Sequence, residues 1–278
     1  MSQRTISRRV RGIDTNDGAG VKLKRIIGQP NLDMLDPFLL LDEFRSDQAG
    51  DYLAGFPEHP HRGFETVTYM LAGHMRHGDN HGNQGDLGPG SVQWMTAGRG
   101  ILHSEMPQQE NGLMWGFQLW VNLPAADKMS APRYQDISPE RIPRVQPAPG
   151  VEARVIAGAL GEAVGPVQGV ATAPLYLDIT LGAGARFELD LPPEHHAFAY
   201  VFEGESAQVG DGEPLLRGEL GVLSDGDRLT LAAGTSAARL LVVAGRPLNE
   251  SVTRYGPFVM NTPAQIQEAI ADFRAGRF

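Results

Sequence analysis

His59 and His61 stand two apart in the segment FPEHPHRGFET, and His103 and Glu105 stand two apart in GRGILHSEMP. In an extended chain, residues i and i+2 face the same side, so each pair presents both of its side chains together. Two such strands facing each other inside a barrel would bring three imidazole nitrogens and one carboxylate to a common point. That donor set suits a divalent transition ion, whether iron, manganese, nickel, cobalt or copper, and it accepts zinc; donor type alone does not rank them. Four protein ligands on a six-coordinate ion leave two adjacent positions, enough for a chelating hydroxy-ketone or for one oxygen donor and O2. Oxygen chemistry is therefore the leading expectation. Glu65, at even spacing from His61, is the alternative carboxylate, and the same-face spacing to His103 favours Glu105. The chain has no cysteine, which excludes disulfides, thiolate nucleophiles and any zinc site built on sulfur.

The elements that must position these residues read as strands. Short extended segments at 65–71, 91–95, 116–122, 175–181 and 238–243 are separated by turns rich in Gly, Pro, Asn and Asp, the pattern of an all-β barrel or sandwich. Gly82, Gly85, Gly88, Pro89 and Gly90 form a turn-rich hairpin before the second ligand pair, and Gly98 and Gly100 let the backbone come close just ahead of His103. The segment SPERIPRVQPAPG at 138–150 has four prolines and few apolar side chains. It reads as a connection between domains at 1–137 and 151–278. The two halves share a coarse layout, which suggests a duplicated barrel. One helix closes the second half: Thr262 caps it, Pro263 takes its first position, and Ile266, Ala269, Ile270 and Phe273 recur at helical spacing before Gly276.

With 33 acidic against 24 basic side chains, a formal net charge of -9 and no basic run, direct binding to a phosphate backbone is disfavoured. No segment approaches the roughly 20 apolar residues that span a bilayer, and a cytoplasmic, non-membrane protein is the expectation.

The blocks LDPFLLLDEF (35–44), FPEHPHRGFETVTY (56–69), PGSVQWMTAGRGILHSEMP (89–107), FQLWVNLP (117–124) and YGPFVMNT (255–262) resemble the pirin family, and the likeness runs over nearly the whole chain. The resemblance implies two tandem cupin barrels with a C-terminal helix, and one metal per chain, Fe(II), held by His59, His61, His103 and Glu105. It also implies flavonol (quercetin) 2,3-dioxygenase activity on a flat aromatic substrate and O2, with Glu105 accepting the substrate proton. The alternative it brings is iron-dependent docking on a regulatory protein. A second barrel without metal is implied as well, and the absence of any His-x-His after residue 110 agrees.

The remaining candidates have plainer expectations. His74, His77 and His81 lie in or beside a Gly/Asn-rich hairpin, where exposure is the simplest account. His195 and His196 are adjacent, point to opposite faces and suit a surface or pocket rim. Trp94, Met95, Trp115, Phe117 and Trp120 read as barrel core. Phe44 and Phe56 are the expected pocket wall, with Gln118 orienting a ligand or water.

Overall fold

Short strand-forming runs build most of the chain: some alternate buried and exposed residues, as in Arg186–Asp190, while central large-sheet strands such as Phe38–Ser46 are buried on both faces. The computed structural model describes residues 2–278, which form two compact units. The first comprises Ile13–Met34, Phe38–Pro139 and Leu248–Phe278; the second comprises residues 2–12, Leu35–Pro37 and Glu140–Pro247.

Each unit pairs a seven-stranded antiparallel sheet with a four-stranded one. In the first unit the large sheet runs Arg133–Ile137, Val92–Thr96, Phe64–Ala72, Met114–Asn122, Phe38–Ser46, Val21–Ile27 and Ile13–Asp17. The small sheet runs Phe56–His61, Ile101–Pro107, Met75–Asp79 and Gln84–Leu87. In the second unit the large sheet runs Ile6–Arg11, Glu219–Leu223, His196–Glu203, Ala238–Gly245, Leu175–Leu181, Val151–Ala157 and Arg144–Ala148. Its small sheet runs Arg186–Asp190, Arg228–Ala232, Ser206–Val209 and Leu215–Leu216. The crossover order repeats from one unit to the other, as two cupin barrels require.

The domain boundaries differ from the sequence reading at three places. Strand Ile6–Arg11 hydrogen-bonds to Glu219–Leu223 and so belongs to the second unit, filling the edge that Arg133–Ile137 fills in the first. The helix Pro263–Arg274 and the hairpin of Thr253–Tyr255 with Phe258–Met260 belong to the first unit. The proline-rich segment is not a plain connection either: Arg144–Ala148 pairs with Val151–Ala157 as the outermost strand of its sheet, a position where Pro147 withholds no needed donor. The helix begins with a capping box, in which the Thr262 hydroxyl accepts from the Gln265 amide and the Gln265 side chain accepts from the Thr262 amide. Its Ile266 and Ala269 pack on Phe258 and Met260. Among the described residues no helix is long and apolar enough to cross a membrane.

The interiors of the two barrels differ in kind. The second is filled by one continuous apolar cluster, including Phe187, Leu189, Leu229 and Leu231 on its small sheet. In the first, the corresponding strands Phe56–His61 and Ile101–Pro107 carry the histidines, and Asp42, Thr68, His77, Gln93 and Glu105 are also buried.

Candidate metal centre

The two ligand-bearing strands are hydrogen-bonded neighbours in the small sheet rather than strands facing each other across the barrel. His103 pairs directly with His59, and Ile101 with His61. Directly paired residues share a face, and the result is a cluster in which the candidate ligand atoms of His59, His61 and His103 all lie within 4.8 Å of one another. The ring centroids are 4.4 to 4.9 Å apart.

Three observations fit this cluster to a metal ion. The Nε2 atoms of His59 and His61 are 3.0 Å apart, the separation of two imidazoles bound about 2.1 Å from one ion at a right angle. The His59 Nδ1 donates to the Pro57 carbonyl at 2.8 Å, which leaves its Nε2 lone pair as the free donor atom. His103 is 1% exposed and neither of its ring nitrogens has a hydrogen-bond partner, an arrangement that is costly without a ligand. Burial, reinforced by the neighbouring imidazoles, holds His61 and His103 well below the usual histidine range, so both are neutral and available as donors near pH 7. Among the described residues no other cluster of this kind is present.

Glu105 is placed differently from the histidines. A register shift separates it from His103 along the pairing with Phe56–His61, and its carboxylate is not drawn into the three-histidine cluster. It is buried and held from both sides: Oε1 accepts from the Thr68 hydroxyl at 2.7 Å, and Oε2 accepts from the Gln118 amide at 2.8 Å. Glu65, the alternative, is equally buried but accepts from the Thr96 hydroxyl at 2.7 Å, and burial pushes its carboxyl up.

Thr68 and Gln118 belong to a polar row that crosses the large sheet. Successive direct pairings join Arg25 to Asp42, Asp42 to Gln118, Gln118 to Thr68, Thr68 to Gln93, and Gln93 to Asp136. At one end Arg25 grips Asp42 through both carboxylate oxygens at 3.0 and 2.7 Å. Burial nevertheless pushes the Asp42 carboxyl up to about 6. At the other end Asp136 accepts from Gln93 at 3.1 Å and lies 3.1 Å from the His77 Nε2. Burial works against that carboxylate, but the bonds from His77 and Gln93 outweigh it and hold it below its usual range.

His77 corrects the expectation of a solvent-exposed hairpin residue. It is 1% exposed and stacks on Tyr134 with centroids 5.1 Å apart. In strand Met75–Asp79 it alternates with exposed Arg76 and shares the inward face of Met75, and it pairs directly with Glu105. His74 and His81 are exposed, as expected.

A cavity of about 550 Å³ opens onto His59 and His61, a size that suits a small organic ligand. Phe44, Phe56 and Gln118 line it. Trp120, read from the sequence as core, is also part of the wall; it meets the His61 ring edge-on at 5.2 Å. Its spacing of two from Gln118 was the available signal, since both then face one side of the strand. Gly116 leaves room for the Phe44 ring, since a Cβ there would stand 2.6 Å from that ring and from the Tyr69 carbonyl oxygen. Trp94, Met95, Trp115 and Phe117 are buried as core. In the second unit the His196 Nδ1 donates to the Asp36 carbonyl, 2.7 Å away, and His195 lies at the wall of a separate cavity.

Residues 20–121 match the Pirin family, and residues 176–278 match the Pirin C-terminal cupin domain. A pirin-like protein of Caulobacter vibrioides is 50% identical over the full length of both chains. The crystal structure of a quercetin 2,3-dioxygenase from Acinetobacter baumannii superposes with a TM-score of 0.91 at 36% identity, covering 100% of this chain and 99% of that one. A bacterial pirin from Escherichia coli, solved in complex with nickel(II), shares the fold with a TM-score of 0.67 at 19% identity over 86% of this chain and 98% of that one. With both family domains matched, the histidine cluster in the first and an apolar interior in the second, the chain belongs to the pirin family of bicupin proteins.

Proposed function

We propose that this protein is an iron-dependent dioxygenase of flavonol-type aromatics, with His59, His61, His103 and Glu105 as the metal ligands. The observation that carries the reading is the convergence of three imidazoles, with His61 and His103 buried and neutral, beside an aromatic-lined cavity that His59 and His61 line. The name of the Acinetobacter baumannii relative supports the substrate class.

A divalent iron held there supplies the positive charge that favours an ionised hydroxy-ketone and the redox chemistry with O2 that ring cleavage needs. The chain's own residues do the rest. Phe44, Phe56 and Trp120 present apolar faces to a flat ring system and keep water from it. Gln118, which both reaches the cavity and holds the Glu105 Oε2, connects the substrate's oxygens to the buried carboxylate. When free of the ion, Glu105 accepts the 3-hydroxyl proton at Oε2 as the Gln118 amide releases it, while Thr68 keeps Oε1 in place. A cavity of this volume, lined by Phe44, Phe56 and Trp120, favours the enzyme over the alternative of docking on a regulatory protein.

Elemental analysis of anaerobically purified protein, followed by oxygen-uptake assays over a flavonol panel, tests the proposal. One iron per chain and uptake that requires the 3-hydroxyl are expected. Metal-loaded protein that consumes no oxygen with any 3-hydroxyflavone refutes it.

A further inference from the structure

Two cationic side chains line the cavity beside the histidine cluster, Arg25 and Arg254, and their charges are handled differently. Arg25 is neutralised twice over, by both oxygens of Asp42 and by Asp17 at 2.7 Å. Arg254 has no carboxylate at ion-pair distance among the described residues. Its Nη1 donates one long bond, 3.3 Å, to the Leu39 carbonyl, and its guanidinium lies 4.8 Å from the Trp120 ring centre. Asp33, Asp42 and Asp17 act on it only from farther away. Of the acids in the wall, Asp17 and Asp42 are committed to Arg25, and Glu58 is exposed at the rim.

The position of this unmatched charge is set by a short chain of contacts. Trp120 touches the His61 ring on one side and carries the Arg254 guanidinium on another. The guanidinium is therefore no farther from His61 than those two steps, about 10 Å, with a cation–π contact holding it in place. A planar fork of donors within that distance is suited to a carboxylate or sulfonate. The body of a fused or linked aromatic whose chelating oxygens meet the histidine end lies within the same reach.

We propose that Arg254 makes this cavity selective for aromatic hydroxy-ketones that carry an acidic group within about 10 Å of the chelating oxygens. The inference rests on the reading of the cluster as a metal site that takes chelating aromatics, and it narrows the substrate class within that reading. Neutral flavonols then bind through the chelating end and the aromatic walls alone, and anionic congeners gain a charge-assisted contact in addition.

The test is isothermal titration of anaerobic, Zn(II)-loaded protein with 3-hydroxyflavone and with its 4′-carboxylate. The quantity read is the ratio of the two affinities, so that the neutral congener corrects for any general change in the cavity. In the unaltered protein the carboxylate should bind about tenfold more tightly, by a margin that shrinks as salt is raised. In Arg254→Met the ratio should fall to near one, and Arg254→Lys should retain part of it. A ratio near one in the unaltered protein overturns the inference without reference to any variant, as does a preference that survives in Arg254→Met. If neither flavone binds, the flavonol reading fails. The inference is then decided by the neutral hydroxy-ketone 2-acetyl-3-hydroxynaphthalene against its 7-sulfonate, where equal affinities overturn it and a preference lost in Arg254→Met upholds it.

Discussion

Replacing His103 by Leu should stabilise the metal-free protein while abolishing its response to metal. His103 is 1% exposed, and both of its ring nitrogens lack hydrogen-bond partners. An unsatisfied buried polar group costs about 1–3 kcal/mol, and leucine removes that cost while filling a similar volume with apolar atoms. The second barrel shows the outcome already in place, since Leu229 and Leu231 occupy the inward face of its corresponding strand within an apolar cluster. For a unit of this size the gain corresponds to a rise of roughly 2–12 °C in the melting temperature of the first unit. The unaltered protein should instead be raised by metal, by about 2.7 kcal/mol at a hundredfold excess over the dissociation constant. Differential scanning calorimetry with chelator, and then with Ni(II) or anaerobic Fe(II), reads both effects. A metal-free His103→Leu protein that melts at or below the unaltered one, or that still shifts on adding metal, refutes the account of these nitrogens as metal donors.

Competition titration with a chromophoric chelator should find that Glu105→Gln weakens metal binding by roughly 10–100-fold, whereas Glu65→Gln, at a carboxylate committed to Thr96, changes it by less than about threefold; the reverse order would move the ligand to Glu65. Gly85→Ala places a Cβ against the His77 Nε2 and 2.9 Å from the Asp136 Oδ2, where His77 is packed on Tyr134 and has no room to yield. A loss of about 2–4 kcal/mol is expected in urea unfolding, and a loss below about 0.5 kcal/mol would show the pair to be adaptable. Lys128, whose Nζ donates to Gly63, Asn122 and Val259, is pushed down by burial to about 8 from 10.5. Between those two values the unfolded chain binds a proton that the folded one lacks, so this group's contribution to stability rises with pH across the window and is least favourable below pH 8. The stability difference between the unaltered protein and Lys128→Met should therefore shift in favour of the unaltered protein from pH 8 to 10, by up to about 3 kcal/mol; a difference independent of pH contradicts the assignment.

Local periodicity determined much of this protein. Alternation of apolar and polar residues specifies strands whatever they later pair with, and a spacing of two within a strand puts His59 with His61 and His103 with Glu105 on shared faces. The Thr262 and Gln265 pair and Pro263 mark the helix start by chemistry confined to one turn. The lack of any His-x-His after residue 110 already set the two barrels apart. The tertiary structure decided which strands are neighbours, because hydrogen-bond pairing joins segments that no local pattern relates. It made the two histidine strands adjacent rather than opposed, gave Ile6–Arg11 to the second unit and gave the helix to the first. Burial was decided at the same level. His77 goes inward with Met75 because its strand joins the small sheet beside Glu105, and Trp120 changes from core to cavity wall because His61 and Arg254 come to lie against it. The polar row from Arg25 to Asp136 exists only through register across six strands of one sheet, and a shift of one residue in any pairing would turn part of it to the other face.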